Sequence, residues 1–157
     1  MPTGPVLGFP PELLLRAQGL GGGVRAAIFD VDGVLTDGRL FIGAEGESLK
    51  AFHVLDGHGL KLLAASGITP VVITGRDSPA LRRRLADLGL DQVHCGIADK
   101  LARASQVLGG LGLGWDEVAA IGDDWPDLPL LARAAVACAP PNAHAEVLAR
   151  VHHVTRA

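Results

Sequence analysis

Residues 24–38 read VRAAIFDVDGVLTDG, a short apolar run followed by closely spaced aspartates. The run at 24–29 has β-branched and aromatic members, which predicts a buried strand. Asp30 and Asp32 come directly after it, and the two-residue period of an extended chain places both side chains on one side of the strand end. An Asp-Gly pair is also common in turns, so a simple turn is the alternative interpretation.

Two carboxylates at the end of a buried strand are difficult to explain by packing, because an unpaired charge there costs stability. One of the pair could act as a nucleophile and the other as a proton shuttle. Oxygen ligands this close together also suit Mg²⁺. Asp30 and Asp32 are therefore candidate catalytic or metal-binding residues.

Helices and strands are predicted to alternate along the rest of the chain. Helices are predicted at 57–65, 78–88, 99–108, 128–132 and 143–149. Strands are predicted at 69–74, 92–95, 118–121, 135–139 and 151–154. This alternation indicates βαβ units, so we expect an α/β fold with a three-layer, doubly wound (Rossmann-like) parallel sheet. Ligands of such sheets bind at the carboxyl ends of the strands.

A hairpin and an N-terminal segment complete the expected organisation. Residues 39–42 and 48–54 are extended stretches on either side of turn formers, which predicts a β-hairpin inserted at 38–54. A short helix with proline near its start and a glycine-rich join form the N-terminal segment, 1–23. We expect one main domain over 24–157.

The composition narrows the class of protein. The 157 residues suffice for one domain with a sizeable core. Hydrophobic residues make up 48% and charged residues 20%, which is typical of a globular protein. The net charge of −3 argues against nucleic acid as a partner. The two cysteines lie far apart, which argues against a disulfide framework and favours a reducing compartment.

Neither a membrane span nor a signal peptide is predicted. No apolar run approaches the roughly 18 residues that a spanning helix needs. The N-terminal stretch MPTGPVLGFPPELLL lacks a basic region and is interrupted by prolines. We therefore expect a cytoplasmic protein without a membrane partner.

Thr74 and Lys100 are candidate ligands of a phosphate group. Thr74 ends a predicted strand beside backbone N–H groups at a helix start, an arrangement that binds phosphate, although an N-cap with a turn glycine explains it too. Lys100 lies at the start of a predicted helix, where a cation opposes the helix dipole. There it would neutralise phosphate or nearby carboxylates, and the alternative is a surface lysine.

A second acidic cluster, Asp123, Asp124 and Asp127, follows the strand predicted at 118–121. It adds the oxygen ligands that a hard cation needs. Helix N-capping by Asp124 or Asp127 is the alternative, but capping explains one of these acids and hardly all three. The combination of carboxylates, a hydroxyl and an ammonium at strand ends is much more specific than any single residue.

In this order, the motifs DVDGVLTDG, ITGR, Lys100 and IGDDWPD resemble the haloacid dehalogenase superfamily of phosphotransferases, from about residue 24 to the C-terminus. The resemblance implies that Asp30 attacks phosphorus and forms an aspartyl-phosphate. It also implies that Asp32 protonates the leaving alcohol and then activates water, while Thr74 and Lys100 bind the phosphoryl oxygens. Phosphoryl transfer mainly requires such positioning and charge neutralisation.

The same resemblance implies a Mg²⁺ site. Its ligands would be the side chains of Asp30 and Asp123 and the backbone carbonyl of Asp32, with supporting roles for Asp124 and Asp127. Mn²⁺ or Co²⁺ could take the place of Mg²⁺, since selectivity depends on geometry and availability.

Only a hairpin and one helix separate Asp32 from Thr74, which leaves no room for a large cap domain. The stretches GESLKAFHVLDGHGLKLL and ITGRDSPALRRRLADLG resemble the capless 3-deoxy-D-manno-octulosonate 8-phosphate phosphatases. The resemblance implies lipopolysaccharide biosynthesis and a homotetramer, in which hairpins form a central barrel and a neighbouring subunit helps to cover the site. A capless site needs such cover to exclude water.

The resemblance also assigns substrate-binding residues. The phosphorylated sugar acid would contact Asp32, His53, Asp56, Gly57, Lys61, Arg76, Arg84, Lys100 and Asp124. Arginine and lysine suit a substrate that carries a carboxylate and a phosphate. A solvated basic helix face is the alternative for Arg84, and simple exposure is the alternative for His53.

Two departures from the family keep other functions open. Leu55 stands where many members carry arginine, which would weaken sugar-acid binding or change the substrate. The family usually continues beyond the position of Ala157 into a glycine-rich tail, and its absence here would mean truncation, genuine loss or reduced activity. The alternatives are a phosphatase for a nonulosonate 9-phosphate or another small metabolite, or a weakly catalytic regulatory or phosphoacceptor domain. Receiver domains carry the phosphoacceptor after a later strand than the first, which disfavours the last alternative.

Overall fold

The computed structural model of the chain describes residues 10–19 and 22–156. Within them, six strands form one parallel sheet and two form an antiparallel hairpin. The strands are β1 (Ala26–Phe29), β2 (Phe41–Gly43), β3 (Gly46–Leu49), β4 (Thr69–Ile73), β5 (Gln92–His94), β6 (Val118–Ile121), β7 (Val136–Ala139) and β8 (His153–Val154). The helices are α1 (Pro11–Gln18), α2 (Val54–Ala65), α3 (Pro79–Leu88), α4 (Lys100–Leu111), α5 (Leu128–Leu131) and α6 (Ala145–Leu148).

The order of strands in the parallel sheet is β5-β4-β1-β6-β7-β8. The chain starts at the centre with β1, adds β4 and β5 on one side, and then crosses to the other side for the remaining strands. β1 can take the centre because its residues AAIF carry no charge and are covered on both faces. The order in which strands are added changes side at β1, and the connections after β1 and β6 therefore diverge. This leaves a crevice at the carboxyl ends of the strands, where such sheets bind ligands.

Two hydrophobic clusters, one on each face of the sheet, complete the three layers. Alternate residues of β4 point to opposite faces, so Val72 joins Leu60 of α2 and Leu81 of α3, whereas Val71 and Ile73 join the other cluster. That other cluster contains residues of α4, α5 and α6. Helices on both faces of a parallel sheet confirm the predicted doubly wound α/β fold.

The predicted hairpin is confirmed, but its second strand is shorter than expected. β3 ends at Leu49, and the extended stretch predicted at 48–54 runs too far. α2 begins at Val54 instead of residue 57, because the Nδ1 atom of His53 accepts a hydrogen bond from the Leu55 N–H (3.1 Å) and caps the helix. Residues 50–53 are therefore a link between hairpin and helix.

The N-terminal helix is confirmed as α1, while part of the glycine-rich join lies outside the described residues. The division of the chain at residue 23 stays a prediction. Among the helices of the described residues, none is long and apolar enough to cross a membrane.

Leu81 has no exposed surface and packs between α3 and the sheet. We expect Leu81→Ala to lower the free energy of unfolding by about 2–5 kcal/mol, because the surrounding core closes the cavity only in part. Urea titration followed by circular dichroism measures the change. Leu15→Ala, at an exposed position of α1, is the matched control and should cost less than about 0.5 kcal/mol. Equal losses in the two variants would contradict the position of Leu81 in the core.

Candidate active site

A cavity of about 510 Å³ lies at the carboxyl edge of the sheet, beside β1. Eight of the predicted site residues line it: Asp30, Asp32, Thr74, Arg76, Lys100, Asp123, Asp124 and Asp127. They come from the ends of β1, β4 and β6 and from the start of α4. Parallel strands that start from separate parts of the chain thus deliver their polar ends to one place.

Lys100 joins two carboxylates in this cavity. Its Nζ donates hydrogen bonds to Asp30 Oδ1 and Asp127 Oδ1, each at 2.7 Å, and all three side chains are less than a tenth exposed. Asp99 caps α4 by accepting a hydrogen bond from the Ala102 N–H (2.9 Å), so the helix begins at Lys100. The surface-lysine alternative is therefore wrong: this ammonium is buried and bonded to two carboxylates, which leaves one of its three N–H donors for another acceptor.

Asp127 is held by both of its carboxylate oxygens. Oδ1 accepts from Lys100, and Oδ2 accepts from the backbone N–H groups of Asp123 (3.1 Å) and Asp124 (3.3 Å). Gly122 permits this arrangement, since a Cβ at that position would overlap the Asp127 carboxyl group. Asp124 caps the next helical turn through its side chain, and Asp127 completes this cap by accepting from the Asp124 N–H. Capping therefore involves both acids, and Asp127 in addition anchors Lys100.

Asp30, Asp123 and Asp127 each bring a carboxylate oxygen within 4.8 Å of the others. Burial, and then the charges of Asp30 and Asp127, raise the pKa of Asp123 to about 7. Burial and the charge of Asp127 also raise the pKa of Asp30, because they outweigh the nearby Lys100. Three carboxylates beside one ammonium leave excess negative charge, and this all-oxygen donor set fits a hard divalent cation.

The charge of Lys100 is stabilised in the same cluster. Burial by itself would lower the pKa of Lys100, but Asp30 and Asp127 together raise it above its ordinary value. The group therefore remains an ammonium that can donate hydrogen bonds to an anion.

Gly33 of the first motif brings the loop after β1 against the loop after β6. Its φ of +88° lies in the region that favours glycine, and a Cβ there would overlap the Asp123 carboxylate. The Asp-Gly turn that was the alternative interpretation of this motif is therefore present. This turn lies in direct contact with Asp123 of the acidic cluster.

Thr74 is buried at the end of β4 and lines the cavity. Its backbone bonds to His94 and Ile97, each at 3.0 Å, and its Oγ1 accepts from the Arg76 N–H at 3.4 Å. Within the described residues the Thr74 hydroxyl donates no hydrogen bond, which leaves its proton for an acceptor in the cavity. Arg76 is exposed at the cavity margin.

The remaining predicted substrate-binding residues lie outside this cavity in the same chain. His53 and Asp56 line a neighbouring groove beside the loop after β1, and Lys61 is exposed on α2. Leu55, the departure noted above, is 69% exposed on the first turn of the same helix. The first turns of α2 thus present these residues to solvent beside the cavity lining and not inside it.

Arg84 is partly buried between α2 and α3. Its guanidinium lies over the Phe52 ring at 5.9 Å, and it packs so close to Gly57 that a Cβ there would force the guanidinium to shift. Arg82 and Arg83 are exposed, so the solvated-face alternative fits them and not Arg84. Arg84 and Gly57 are in close contact and line no part of the cavity around Asp30.

Lys50, Glu47 and Ser78 form a contact network with Asp32 that the sequence did not predict. Lys50 donates a hydrogen bond to Asp32 and forms an ion pair with Glu47 (3.1 Å), and Ser78 donates a hydrogen bond to Glu47. In a single sequence, charged residues on a hairpin are equally typical of a solvated strand edge. Nothing in the spacing distinguishes a buried lysine at position 50 from an exposed one.

Comparisons with known proteins agree with this geometry. Residues 96–157 match the family model of haloacid dehalogenase-like hydrolases. The 3-deoxy-D-manno-octulosonate 8-phosphate phosphatase of Yersinia pestis is 41% identical over 133 residues, which cover 85% of this chain and 71% of that protein.

Two solved structures add to the comparison. The cobalt-bound deoxy-D-mannose-octulosonate 8-phosphate phosphatase of Haemophilus influenzae has a TM-score of 0.84 at 39% identity, over 90% of this chain and 81% of that one. The 3-deoxy-D-manno-octulosonate 8-phosphate phosphatase of Moraxella catarrhalis, in complex with magnesium, phosphate and KDO, has a TM-score of 0.85 at 35% identity, over 92% and 81%.

The fold, the ordered set of polar strand ends and these similarities lead to one assignment. Fold likeness alone would leave the chemistry open. Here the chemistry is indicated as well, by sequence identity of 39–41% over most of both chains and by the acidic cluster with its lysine. The chain belongs to the 3-deoxy-D-manno-octulosonate 8-phosphate phosphatase family of haloacid dehalogenase-like hydrolases, and it is a phosphoric monoester hydrolase.

Proposed function

We propose that this chain hydrolyses 3-deoxy-D-manno-octulosonate 8-phosphate to the free sugar acid and phosphate, with Mg²⁺ as its cofactor. The observation that carries the proposal is the cavity in which Lys100 bridges Asp30 and Asp127 beside Asp123. The names of the relatives support this substrate, and the Moraxella structure contains magnesium, phosphate and KDO together.

Asp30 is the proposed nucleophile. Lys100 holds its Oδ1 at 2.7 Å, which orients the carboxylate and leaves Oδ2 for attack on phosphorus. As the bond from Oδ2 to phosphorus forms, the bond from phosphorus to the sugar oxygen breaks, and an aspartyl-phosphate results. Lys100 and the Thr74 hydroxyl donate hydrogen bonds to the phosphoryl oxygens during this step.

Asp32 is the proposed acid and base. It lines the same cavity as Asp30, on the loop after β1. Asp32 gives a proton to the departing sugar oxygen and then takes one from the water that attacks the phosphorus of the aspartyl-phosphate. Phosphate is released and the Asp30 carboxylate is restored.

The proposed Mg²⁺ ligands are the carboxylates of Asp30 and Asp123 and the backbone carbonyl of Asp32. Asp127 is also close, but both of its oxygens are bonded to Lys100 and to backbone N–H groups, so its proposed role, like that of Asp124, is support. When bound, the cation neutralises charge on the cluster and on the phosphoryl group.

We also propose that the active form is a homotetramer assembled through the hairpin. The large apolar side chains exposed on the hairpin segment and on α2 are Leu40, Phe41, Ile42, Leu49, Val54, Leu55 and Leu62. Exposed apolar side chains concentrated in this way favour an interface. In such an assembly the sugar-binding residues His53, Asp56, Gly57, Lys61 and Arg84 of one copy would serve the cavity of a neighbour, in addition to Arg76 of the same copy.

The proposed setting is lipopolysaccharide biosynthesis in the cytoplasm. Cys95 and Cys138 lie far apart in the chain, and the reducing compartment that this separation favours is part of the proposal. The substrate would be a small phosphorylated sugar acid, with neither nucleic acid nor membrane as a partner.

Asp30→Asn should lower turnover by at least about a thousandfold, because an amide cannot attack phosphorus. The measurement is phosphate release with Mg²⁺ from 3-deoxy-D-manno-octulosonate 8-phosphate, a nonulosonate 9-phosphate and an aryl phosphate. Asp91→Asn, at an exposed position before β5, is the matched control and should keep wild-type rates. Near-wild-type turnover by Asp30→Asn would rule out the nucleophile, and preference for another substrate would replace the one proposed.

Without a divalent cation, the acidic cluster should make the protein less stable as the pH rises. The pKa of Asp123 is about 7 in the folded state, against an ordinary value of 3.8, so between these values only the folded state keeps the proton. Its contribution to stability is therefore lost as the pH rises through about 7. Mg²⁺ offsets this loss, so it should raise the melting temperature more at about pH 8 than at about pH 5.

Thermal denaturation with chelator and with Mg²⁺ at the two pH values provides the measurement. Asp123→Asn removes the titrating group and should flatten both the pH dependence and the response to Mg²⁺. A Mg²⁺ effect that is equal at the two pH values, or that survives in Asp123→Asn, would place the cation elsewhere.

Two impaired variants should complement each other if neighbouring copies share a site. Asp30→Asn lacks the nucleophile and Lys61→Ala lacks a sugar-binding cation. A mixed tetramer contains cavities with Asp30 that face an intact Lys61, so kcat/KM should exceed the average of the two separate variants by several-fold. Co-expression with two different affinity tags isolates the mixed form.

Asp30→Asn mixed with Lys100→Ala is the matched control, because both residues line the same cavity of one chain. That mixture should show no gain. Absence of a gain with Lys61→Ala as well, or a monomer in sedimentation, would contradict the shared site.

A further inference from the structure

The hairpin segment carries one buried ammonium that the mechanism above does not use. Lys50 follows β3, and its side chain is 1% exposed. Its Nζ donates to Asp32 Oδ1 and lies 3.1 Å from Glu47 Oε1. Lys50 is the buried partner, since the Asp32 side chain is 20% exposed. A buried ammonium without its carboxylates would be left uncompensated, so these contacts constrain where Lys50 and its partners lie.

Glu47 extends this contact to α3. Its Oε1 accepts a hydrogen bond from Ser78 Oγ at 3.1 Å, and Ser78 is the residue that caps α3. The side chain of Glu47 is 9% exposed and Ser78 is buried. Asp32 is thereby tied through Lys50 to the hairpin and, through Glu47, to the start of a helix in the main domain.

Lys50 has no direct access to a bound phosphate. The cavity is lined by Asp32 and Lys100, whereas Lys50 lines no part of it. Lys50 occupies Oδ1 of Asp32, and within the described residues no hydrogen bond reaches Asp32 Oδ2. One oxygen of this carboxylate is therefore anchored and the other is left for proton exchange.

We propose that Lys50 is a positioning residue that holds the Asp32 carboxylate in the orientation needed to protonate the departing sugar oxygen. The inference rests on the proposed function, in which Asp32 gives its proton to that oxygen as the bond to phosphorus breaks. The two buried lysines then have parallel tasks: Lys100 orients the nucleophile, and Lys50 orients the acid.

Substrates with different leaving groups separate this role from a structural one. The alkoxide of a sugar phosphate needs a proton to depart, whereas p-nitrophenolate departs readily without one. The ratio kcat/KM covers the steps up to formation of the aspartyl-phosphate, so it reports on leaving-group protonation and not on the later hydrolysis. Lys50→Met should lower kcat/KM by about 10- to 100-fold for 3-deoxy-D-manno-octulosonate 8-phosphate and by less than about threefold for p-nitrophenyl phosphate.

A double-mutant cycle tests whether Lys50 acts through Asp32. Asp32→Asn removes the acid, so adding Lys50→Met to it should cause no further loss with the sugar phosphate. Lys50→Arg keeps a cation with several donors and should recover a large part of the activity. Arg39→Met, which removes an exposed cation of the same segment, is the matched control and should stay within about twofold of wild type.

Glu47→Gln is the second variant, needed if Lys50→Met does not fold. It loosens the other partner of Lys50 and should show a smaller loss with the same dependence on the leaving group. Equal losses on both substrates, or losses that multiply in the double variant, would overturn the positioning role. Wild-type turnover of p-nitrophenyl phosphate but not of the sugar phosphate would instead overturn the proposed substrate, and glycerol 3-phosphate would then serve as the alkyl phosphate in the same cycle.

Discussion

Lys100 places one buried ammonium between Asp30 at the end of β1 and Asp127 after β6. Loss of one member of such a buried group typically costs about 3–5 kcal/mol, because the remaining charges are left without compensation. Other features of the site follow from this contact. Gly122 leaves space for the Asp127 carboxyl group, and Asp99 starts α4 where the lysine can reach both acids. The Lys100 side chain thus connects the loop after β1 with the loop after β6.

The same cluster is electrostatically unfavourable by itself. Its three carboxylates share one ammonium, and burial together with their mutual repulsion raises the pKa of Asp30 and of Asp123. Groups held in such a state respond strongly to an added positive charge. Because these carboxylates repel one another, the site is well suited to bind a cation. A bound cation would in turn attract a phosphoryl group. The apolar strands confine this charge to the sheet edge, because only there can water or a ligand share it.

The sequence was sufficient to predict the fold and the central charges, since both depend on local patterns. Apolar runs such as 118–121 end at the residues where β6 ends, and Ser78 caps α3 as its position before proline indicated. The prediction that α2 starts at residue 57 is wrong, because a ring nitrogen of His53 caps the helix and α2 begins at Val54. Histidine is not among the usual capping residues, so propensity gives little warning.

Long-range pairings were beyond the reach of a single sequence for a different reason. The contact between Lys50 and Asp32 joins segments 18 positions apart in the chain, and Arg84 of α3 lies over Phe52 in the link before α2. Neither pairing leaves a periodic trace, because each depends on how the hairpin and α3 dock on the domain. The resemblance to the phosphatase family implies that Arg84 contacts the substrate. In the structure of one chain, however, Arg84 does not line the cavity around Asp30. The two statements are compatible only if a substrate contact can come from another copy.

The hairpin has an exposed apolar outer face and a buried charged base. Its outer residues Phe41, Ile42 and Leu49 are exposed and apolar, while Lys50 and Glu47 at its base are buried against the main domain. An isolated two-stranded hairpin is marginally stable in water, so its position depends on what it packs against. A partner bound to the outer face would therefore also stabilise the position of the base. Through Lys50, it would stabilise the orientation of Asp32. In a capless phosphatase, one short insertion can in this way link assembly outside the domain to proton transfer inside it.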